Sequence, residues 1–244
     1  MNKKLKYGLI GYPLSHTFSP PYFAEKFQNE NITNIRYDAY SLESIEEIVP
    51  LFSSGIAGLN VTIPYKEKVI PYLDELSEEA EKIGAVNTIK VVNGKKIGYN
   101  TDVYGFEHSL LDLIQENKIE KAFILGTGGA SKAVKYVLDK LEIESHFISR
   151  NPELTTYDQI TKDMIYDTKL IVNTTPLGMY PKIDLCPQLP YDALGREHFL
   201  YDLVYNPEKT LFLKKGKIKK ARIKNGHDML ILQAEKSWEI WNQN

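Results

Sequence analysis

The chain of 244 residues carries 30 basic and 32 acidic side chains, a net charge of −2 that argues against nucleic acid or an acidic membrane surface as its partner. With 43% hydrophobic residues it can bury a good core and has room for two small domains. Its single cysteine, Cys186, excludes an internal disulfide and fits a reducing compartment.

The first apolar run, residues 6–10, reads as a strand, and Gly11 and Pro13 stop it before a signal-peptide core could form. No later run approaches the length of a membrane span, so a cytoplasmic location without membrane partners is expected. The polar loop 11–20 leads into a helix over 22–29. Ser19, ahead of Pro20 and Pro21, fits a helix N-cap with proline at the first helical position. Together with Thr17 it also offers two hydroxyls at a helix start, where the dipole favours a carboxylate.

Residues 35–40 alternate like a strand, 45–52 read as a helix, and 57–63 form a buried strand ending at Pro64, with a helix expected from Tyr65. Asn60, Thr62 and Lys66 then fall at the strand's carboxyl end, where open α/β sheets bind ligands. Taken alone, the plainer reading is preferred: a capping Asn, a strand-end Thr and a surface Lys. The turn Asn93-Gly94 predicts a hairpin between 84–89 and 95–102. Asp102 precedes the helical spacing of Val103, Phe106, Leu110, Leu113 and Ile114, which makes it a candidate N-cap as well as a candidate acid.

Residues 122–125 are long enough for a buried strand, Gly126, Gly128 and Gly129 make a tight turn, and Ala133, Val134, Val137, Leu138 and Leu141 recur at helical spacing. Strand, glycine turn and helix in that order form a nucleotide-binding start. Glycines let the backbone approach a pyrophosphate, and the free N–H groups of the helix face it. Ser131 stands where the third glycine of G-x-G-x-x-G usually does. The next strand is 144–149, and Arg150 follows 24 positions after Gly126. An NAD site would place an acidic residue near there for the ribose hydroxyl. A guanidinium instead pairs bidentately with a 2′-phosphate, so NADP is the expected cofactor; the alternative is a surface Arg beyond a strand end. The cluster Lys214, Lys215, Lys217, Lys219 and Lys220 reads as a solvated helix face. The five histidines show no metal-ligand spacing, so no metal is expected; His16 and His227 are taken as structural, or as standing behind the residues that touch the ligand. Trp238 and Trp241, three apart on the last helix, read as core.

Eight stretches in order resemble the shikimate dehydrogenase family. They are residues 11–20 (GYPLSHTFSP), 58–66 (GLNVTIPYK), 84–88 (GAVNT), 98–102 (GYNTD), 126–131 (GTGGAS), 173–179 (NTTPLGM), 202–207 (DLVYNP) and 225–230 (NGHDML) with Gln233. The resemblance implies a two-domain α/β protein. Residues 1–102 with 226–244 would form an N-terminal α/β shikimate-binding catalytic domain, to which the C-terminal helix returns. Residues 103–225 would form a Rossmann-like NADP-binding domain. It implies reversible NADP-dependent conversion of shikimate to 3-dehydroshikimate on the route to chorismate, by a monomer or homodimer.

By position, the resemblance puts Thr17 and Ser19 on the substrate carboxylate and Asn60, Thr62, Asn87 and Gln233 on the ring hydroxyls. Tyr205 falls at the family's tyrosine near the substrate, and Lys66 and Asp102 at its catalytic pair. The cofactor-binding positions are Gly126, Thr127, Gly128, Gly129, Ala130, Ser131, Ser149, Arg150, Thr174, Met179 and Gly226. Three departures are visible: Thr17 replaces the first serine of Ser-x-Ser, Ser149-Arg150-Asn151 replaces Asn-Arg-Thr, and Leu154 replaces a second basic residue. Arg150 is thereby left as the chief holder of the 2′-phosphate. The competing readings are a quinate/shikimate dehydrogenase using NAD as well as NADP, and a catalytically silent NADP- or shikimate-binding regulator.

Overall fold

A computed structural model describes residues 4–14 and 17–243. Ser15 and His16, the latter taken above as structural, lie outside the described residues. The chain divides into two compact α/β units, Met1–Thr101 with Ala234–Asn244, and Asp102–Gln233.

Unit 1 is built on strands β1 (Leu5–Gly11), β2 (Ile35–Ser41), β3 (Ile56–Val61), β4 (Glu75–Leu76), β5 (Thr88–Val92) and β6 (Lys95–Tyr99), in the order β2-β1-β3-β5-β6-β4. β1 runs parallel to β2 and β3, while β5 is antiparallel to β3 and β6, so the sheet is mixed. Helices α1 (Ser19–Asn29), α2 (Ile48–Ser53) and α3 (Glu78–Ile83) connect the strands. One core cluster gathers Ile10, Ile48, Leu59, Val61, Val69 and Ile89. Another gathers Tyr7, Phe23 and Phe27 with Ala234 and Trp241 of the C-terminal helix α8 (His227–Asn242). Trp241 is buried, as its helical spacing predicts, and its indole Nε1 donates to the Ile89 carbonyl at 2.9 Å. A Cβ on Gly58 would lie 2.4 Å from that nitrogen, so a side chain there would displace the indole from the sheet.

Three local expectations change. Ser19 is not the N-cap: Phe18 holds that place in helical conformation without a side-chain cap bond, and the helix begins at Ser19 itself. No α-helix starts at Tyr65. The stretch turns instead, with Tyr65 N–H bonded to the Thr62 carbonyl and a short 3-10 turn at Ile70–Tyr72, because Pro64 and Pro71 disfavour a continuous helix. Residues 84–87 are not strand: Gly84, at φ +67°, closes α3, and β5 starts only at Thr88.

Unit 2 is a parallel sheet of β7 (Lys121–Leu125), β8 (Glu144–Ser149), β9 (Thr155–Thr156), β10 (Leu170–Asn173), β11 (Phe199–Asp202) and β12 (Arg222–Asn225), ordered β12-β11-β10-β7-β8-β9. Helices α4 (Asp102–Ile114), α5 (Gly129–Lys140), α6 (Lys162–Asp167) and α7 (Leu211–Ile218) belong to it. The short runs 122–125 and 170–172 are buried throughout, as central parallel strands must be. This order is that of a dinucleotide-binding Rossmann sheet, whose topological switch point falls between β7 and β10. Among the described residues no helix is long and apolar enough to cross a membrane. No group of three or more His, Cys, Asp or Glu among them could hold a metal ion.

Candidate active site

In unit 1 the chosen residues meet where β1 and β3 run out and β5 begins. Gly11 brings the first loop close, since a Cβ there would lie 2.5 Å from the Thr62 methyl. Thr62 N–H bonds the Ile10 carbonyl at 2.9 Å, just beyond the end of β3. The Lys66 carbonyl accepts from Val86 N–H at 2.7 Å, which ties the turn after β3 to the segment carrying Asn87. The Lys66 side chain is half-buried. Thr17 is half-buried in the loop ahead of α1, and Ser19 is buried.

Asn60 and Asn87 are buried at 4% and 3% exposure, so their amides depend on protein partners. Asn60 Oδ1 accepts from the Tyr37 hydroxyl at 2.7 Å, and Asn60 Nδ2 donates to Thr88 Oγ1 at 3.1 Å and Ser237 Oγ at 3.0 Å. Tyr37 in turn hydrogen-bonds Ser19, and its phenol pKa is pushed well up by burial. Asn87 Oδ1 accepts from Thr101 N–H at 2.7 Å, while Asn87 Nδ2 donates to Thr101 Oγ1 at 2.9 Å. Six chain segments thus converge on one polar sheet end.

In unit 2, Gly126 follows β7 at φ +102°, and a Cβ there would lie 2.8 Å from the Thr175 methyl and 3.0 Å from Thr174 Oγ1. Only glycine tolerates both that conformation and that approach. Thr174 bonds back across the switch point, its N–H and its hydroxyl both donating to the Leu125 carbonyl, at 3.0 and 2.7 Å. Gly128 caps α5 in extended conformation, and nothing lies within 4 Å of the place its Cβ would take. Thr127 is exposed, and Gly129 and Ala130 form the first turn of α5. Ser131 is fully buried and its hydroxyl donates to the Gly128 carbonyl at 2.6 Å, so it shapes the turn. The open wall at Gly128, the helix start and the switch point fit a pyrophosphate.

Arg150 is exposed directly after β8. Its turn is held by Ser149, whose Oγ accepts from Asn151 N–H at 3.2 Å. Met179 is 46% exposed beyond the left-handed Gly178 at φ +91°. Gly226 is buried against backbone: a Cβ would fall 2.2 Å from the Leu203 carbonyl oxygen. Tyr205 is half-buried after β11, with its phenol pKa raised by burial. Asp102 opens α4 and is 7% exposed. One turn on, Gly105 packs on α8, where a Cβ would meet the Met229 carbonyl at 2.5 Å and the Gln233 Cβ at 3.2 Å. Buried Gln233 donates from Nε2 to the Leu230 carbonyl at 2.9 Å.

Sequence reasoning gave no role to Asp202. It is fully buried at the end of β11, and burial raises its carboxyl pKa to about 6. Oδ1 accepts from Asn173 Nδ2 at 2.9 Å and Val204 N–H at 3.0 Å, and Oδ2 accepts from Thr210 Oγ1 at 2.5 Å. Asn173 Oδ1 then takes Thr175 N–H and Oγ1, at 3.1 and 2.7 Å. One carboxylate therefore holds the loop after β10, the approach to Tyr205 and the N-cap of α7. The signal was a lone acid closing the apolar run Phe199-Leu-Tyr.

The family described as shikimate dehydrogenase substrate binding domain matches residues 9–89. The shikimate dehydrogenase (NADP(+)) of Clostridium beijerinckii is 41% identical, over 97% of this chain and 92% of its own. The chain belongs to the shikimate dehydrogenase family. The crystal structure of shikimate dehydrogenase from Aquifex aeolicus superimposes with a TM-score of 0.89 at 34% identity, covering 98% of this chain and 92% of that one. Shikimate 5-dehydrogenase from Thermus thermophilus, solved with NADP(H) and shikimate, gives 0.83 at 29% identity, covering 98% and 93%. The parallel sheet with its glycine turn is thus the Rossmann-like part of a shikimate dehydrogenase fold.

Proposed function

We propose that this chain is an oxidoreductase that interconverts shikimate and 3-dehydroshikimate with NADP, a step toward chorismate and the aromatic amino acids, in the cytoplasm. The observation that carries the reading is the presence, in one chain of this family, of a polar, internally bonded sheet end in unit 1 and a dinucleotide switch point in unit 2. The first unit is the substrate domain, and the sheet of the second binds the cofactor.

When bound, NADP supplies the hydride chemistry. Gly126, Thr127, Gly128, Gly129 and Ala130 would hold its pyrophosphate, with Ser131 fixing their turn. Thr174, Met179 and Gly226 would shape its bed, and Arg150 with Ser149 would take the 2′-phosphate. The chain's own residues handle the substrate. Thr17 and Ser19 receive the carboxylate, and Asn60, Thr62, Asn87 and Gln233 define the ring hydroxyls. Tyr205 lies beside the substrate. An alcohol being oxidised must give up its hydroxyl proton, and a carbonyl being reduced must gain one. Lys66 is the group assigned to that oxygen; its ammonium polarises the carbonyl in the reductive direction. Asp102 is assigned a neighbouring substrate hydroxyl and a part in the same proton transfer.

Initial rates with shikimate and with quinate, each with NADP and with NAD, test the assignment. Turnover of shikimate with NADP is expected to dominate. Quinate turnover at a comparable kcat/KM, or NAD as the better cofactor, would replace it with the dual-use reading; no turnover with any pair would leave the silent regulator.

A further inference from the structure

We propose that Ser237 on α8 is a positioning residue for the substrate site of unit 1. The proposal rests on the assignment of Asn60 and Asn87 to the substrate's ring hydroxyls. Ser237 is fully buried one turn beyond Gln233, on the helix face that also carries Ala234 and Trp241. Its Oγ accepts from Asn60 Nδ2 at 3.0 Å and lies 2.7 Å from Thr88 Oγ1 and 3.1 Å from Thr101 Oγ1. One hydroxyl from the C-terminal helix therefore joins β3, β5 and the residue immediately before Asp102.

The orientation of the Asn60 amide is set by the Asn87 carbonyl, which can only accept and lies 3.3 Å from Asn60 Nδ2. The nitrogen therefore faces Asn87, Thr88 and Ser237, and the oxygen is left to the Tyr37 hydroxyl. Thr88 and Thr101 lie 3.2 Å apart, and each donates to Asn87 Oδ1 at 3.2 Å. Loss of the Ser237 hydroxyl removes an acceptor from Asn60 and a partner from both threonines, in a place water does not reach. The slack passes to the Asn87 amide and to the chain entering Asp102. Packing alone makes a weaker demand at this position: alanine would occupy nearly the same space beside Ala234 and Trp241. The hydroxyl is what the network uses, and a hydroxyl network specifies geometry only when every member is satisfied.

Steady-state kinetics on the full chain test this with Ser237→Ala, the isosteric Thr88→Val, the hydroxyl-retaining Thr88→Ser, and Asn87→Ala. Ser237→Ala and Thr88→Val are expected to raise KM for shikimate about three- to tenfold, the worth of one buried hydrogen bond. KM for NADP stays unchanged, kcat stays within about twofold, and Thr88→Ser keeps the parent KM. An unchanged shikimate KM in Ser237→Ala overturns the proposal whatever its melting temperature, as does an equal rise in Thr88→Ser and Thr88→Val. If Ser237→Ala does not fold, the two Thr88 variants decide alone. Asn87→Ala separates the two layers. If it raises KM while Ser237→Ala does not, the positioning role fails by itself; if neither changes KM, the assignment of Asn87 to the substrate fails with it.

Discussion

The functional end of each sheet is held in a different way. In unit 1 the work falls to side chains: Tyr37, Asn60, Asn87, Thr88, Thr101 and Ser237 bond mainly to one another. In unit 2 it falls to backbone: Gly126 at φ +102°, the open Gly128 and the start of α5 carry the geometry, and the side chains nearby, Ser131 and Thr174, bond to carbonyls that shape the turn. The contrast matches what the proposed function asks of each. A polyhydroxylated ring differs from its analogues by single hydroxyls, which only placed donors and acceptors can tell apart. A pyrophosphate is recognised by repeated amide N–H groups and a helix end, for which side-chain identity matters little. Substitutions at the polar sheet end of unit 1 should therefore act on chemistry and substrate choice, and those at the glycine turn of unit 2 on the cofactor alone.

The largest expected effect breaks the comparison at its chemical centre. Acid–base assistance contributes roughly 10²–10⁴-fold, so Lys66→Ala should lower kcat by about that factor with little change in the KM for shikimate. Asp102→Ala should lower kcat and raise that KM together, and the double variant should be scarcely worse than Lys66→Ala. Were Asp102 only a helix-start residue, its removal would cost about 1 kcal/mol of stability and leave turnover near normal. Turnover measured beside the melting temperature distinguishes the two.

Next in size come the cofactor determinants. Arg150→Ala should raise KM for NADP roughly ten- to a hundredfold, with little effect on NAD, because one charge-assisted phosphate contact is lost. Equal changes for both cofactors would remove Arg150 from the 2′-phosphate. Gly126→Ala strains a left-handed residue and pushes a methyl to within 2.8 Å of Thr175. It should weaken binding of NADP and NAD alike by roughly tenfold, at a cost of about 1–3 kcal/mol in stability. Calorimetric titration with each cofactor and with shikimate checks it; weakened shikimate binding would erase the division of labour between the two sheets.

The backbone-built region was the more legible in sequence. Gly126 announces its left-handed turn directly, and the strand–turn–helix around it needs only local periodicity. The side-chain-built region was legible only in pieces. Asn60, Thr62 and Lys66 read alone as ordinary surface and capping residues; what sets Asn60 apart is its bonding to segments up to 177 positions away, as to Ser237. No periodicity carries that. Local misreadings have equally local causes. Ser19 looked like an N-cap because serine before two prolines satisfies the usual preference, yet Phe18 takes the cap. The helix expected after Pro64 failed because Pro71 follows within two turns. The Asn93-Gly94 turn announced the antiparallel pairing of β5 and β6, but the antiparallel pairing of β5 with β3 was not legible, because no tight turn joins those two strands.

The smallest expected effect concerns Asp202, the side-chain hub within the backbone-built unit. Burial holds its proton up to about pH 6 in the folded protein, whereas the unfolded chain releases it near 4. Between those values the folded state binds more protons than the unfolded state. The sign follows: the contribution of this group to stability is fully present below pH 4 and is lost as pH rises through 6. Other carboxylates pull the opposite way; Asp112 and Glu78, held below the usual range by Lys224 and Lys82, lose their contributions as pH falls. The Asp202 term is therefore visible only as a difference against Asp202→Asn. That variant fits the site, since its oxygen can accept from Asn173 and Val204 and its amide can donate to Thr210. The melting temperature of the parent, measured relative to Asp202→Asn, should fall as pH rises from 4 to 7. The expected span is roughly 1–3 kcal/mol, or a few degrees in a chain of this size. A constant difference across that range would show that the carboxylate is charged throughout, stabilised by its three donors despite burial. NADP binding to the two proteins at pH 7 would then tell whether the loop after β10 depends on the charge or only on the hydrogen bonds.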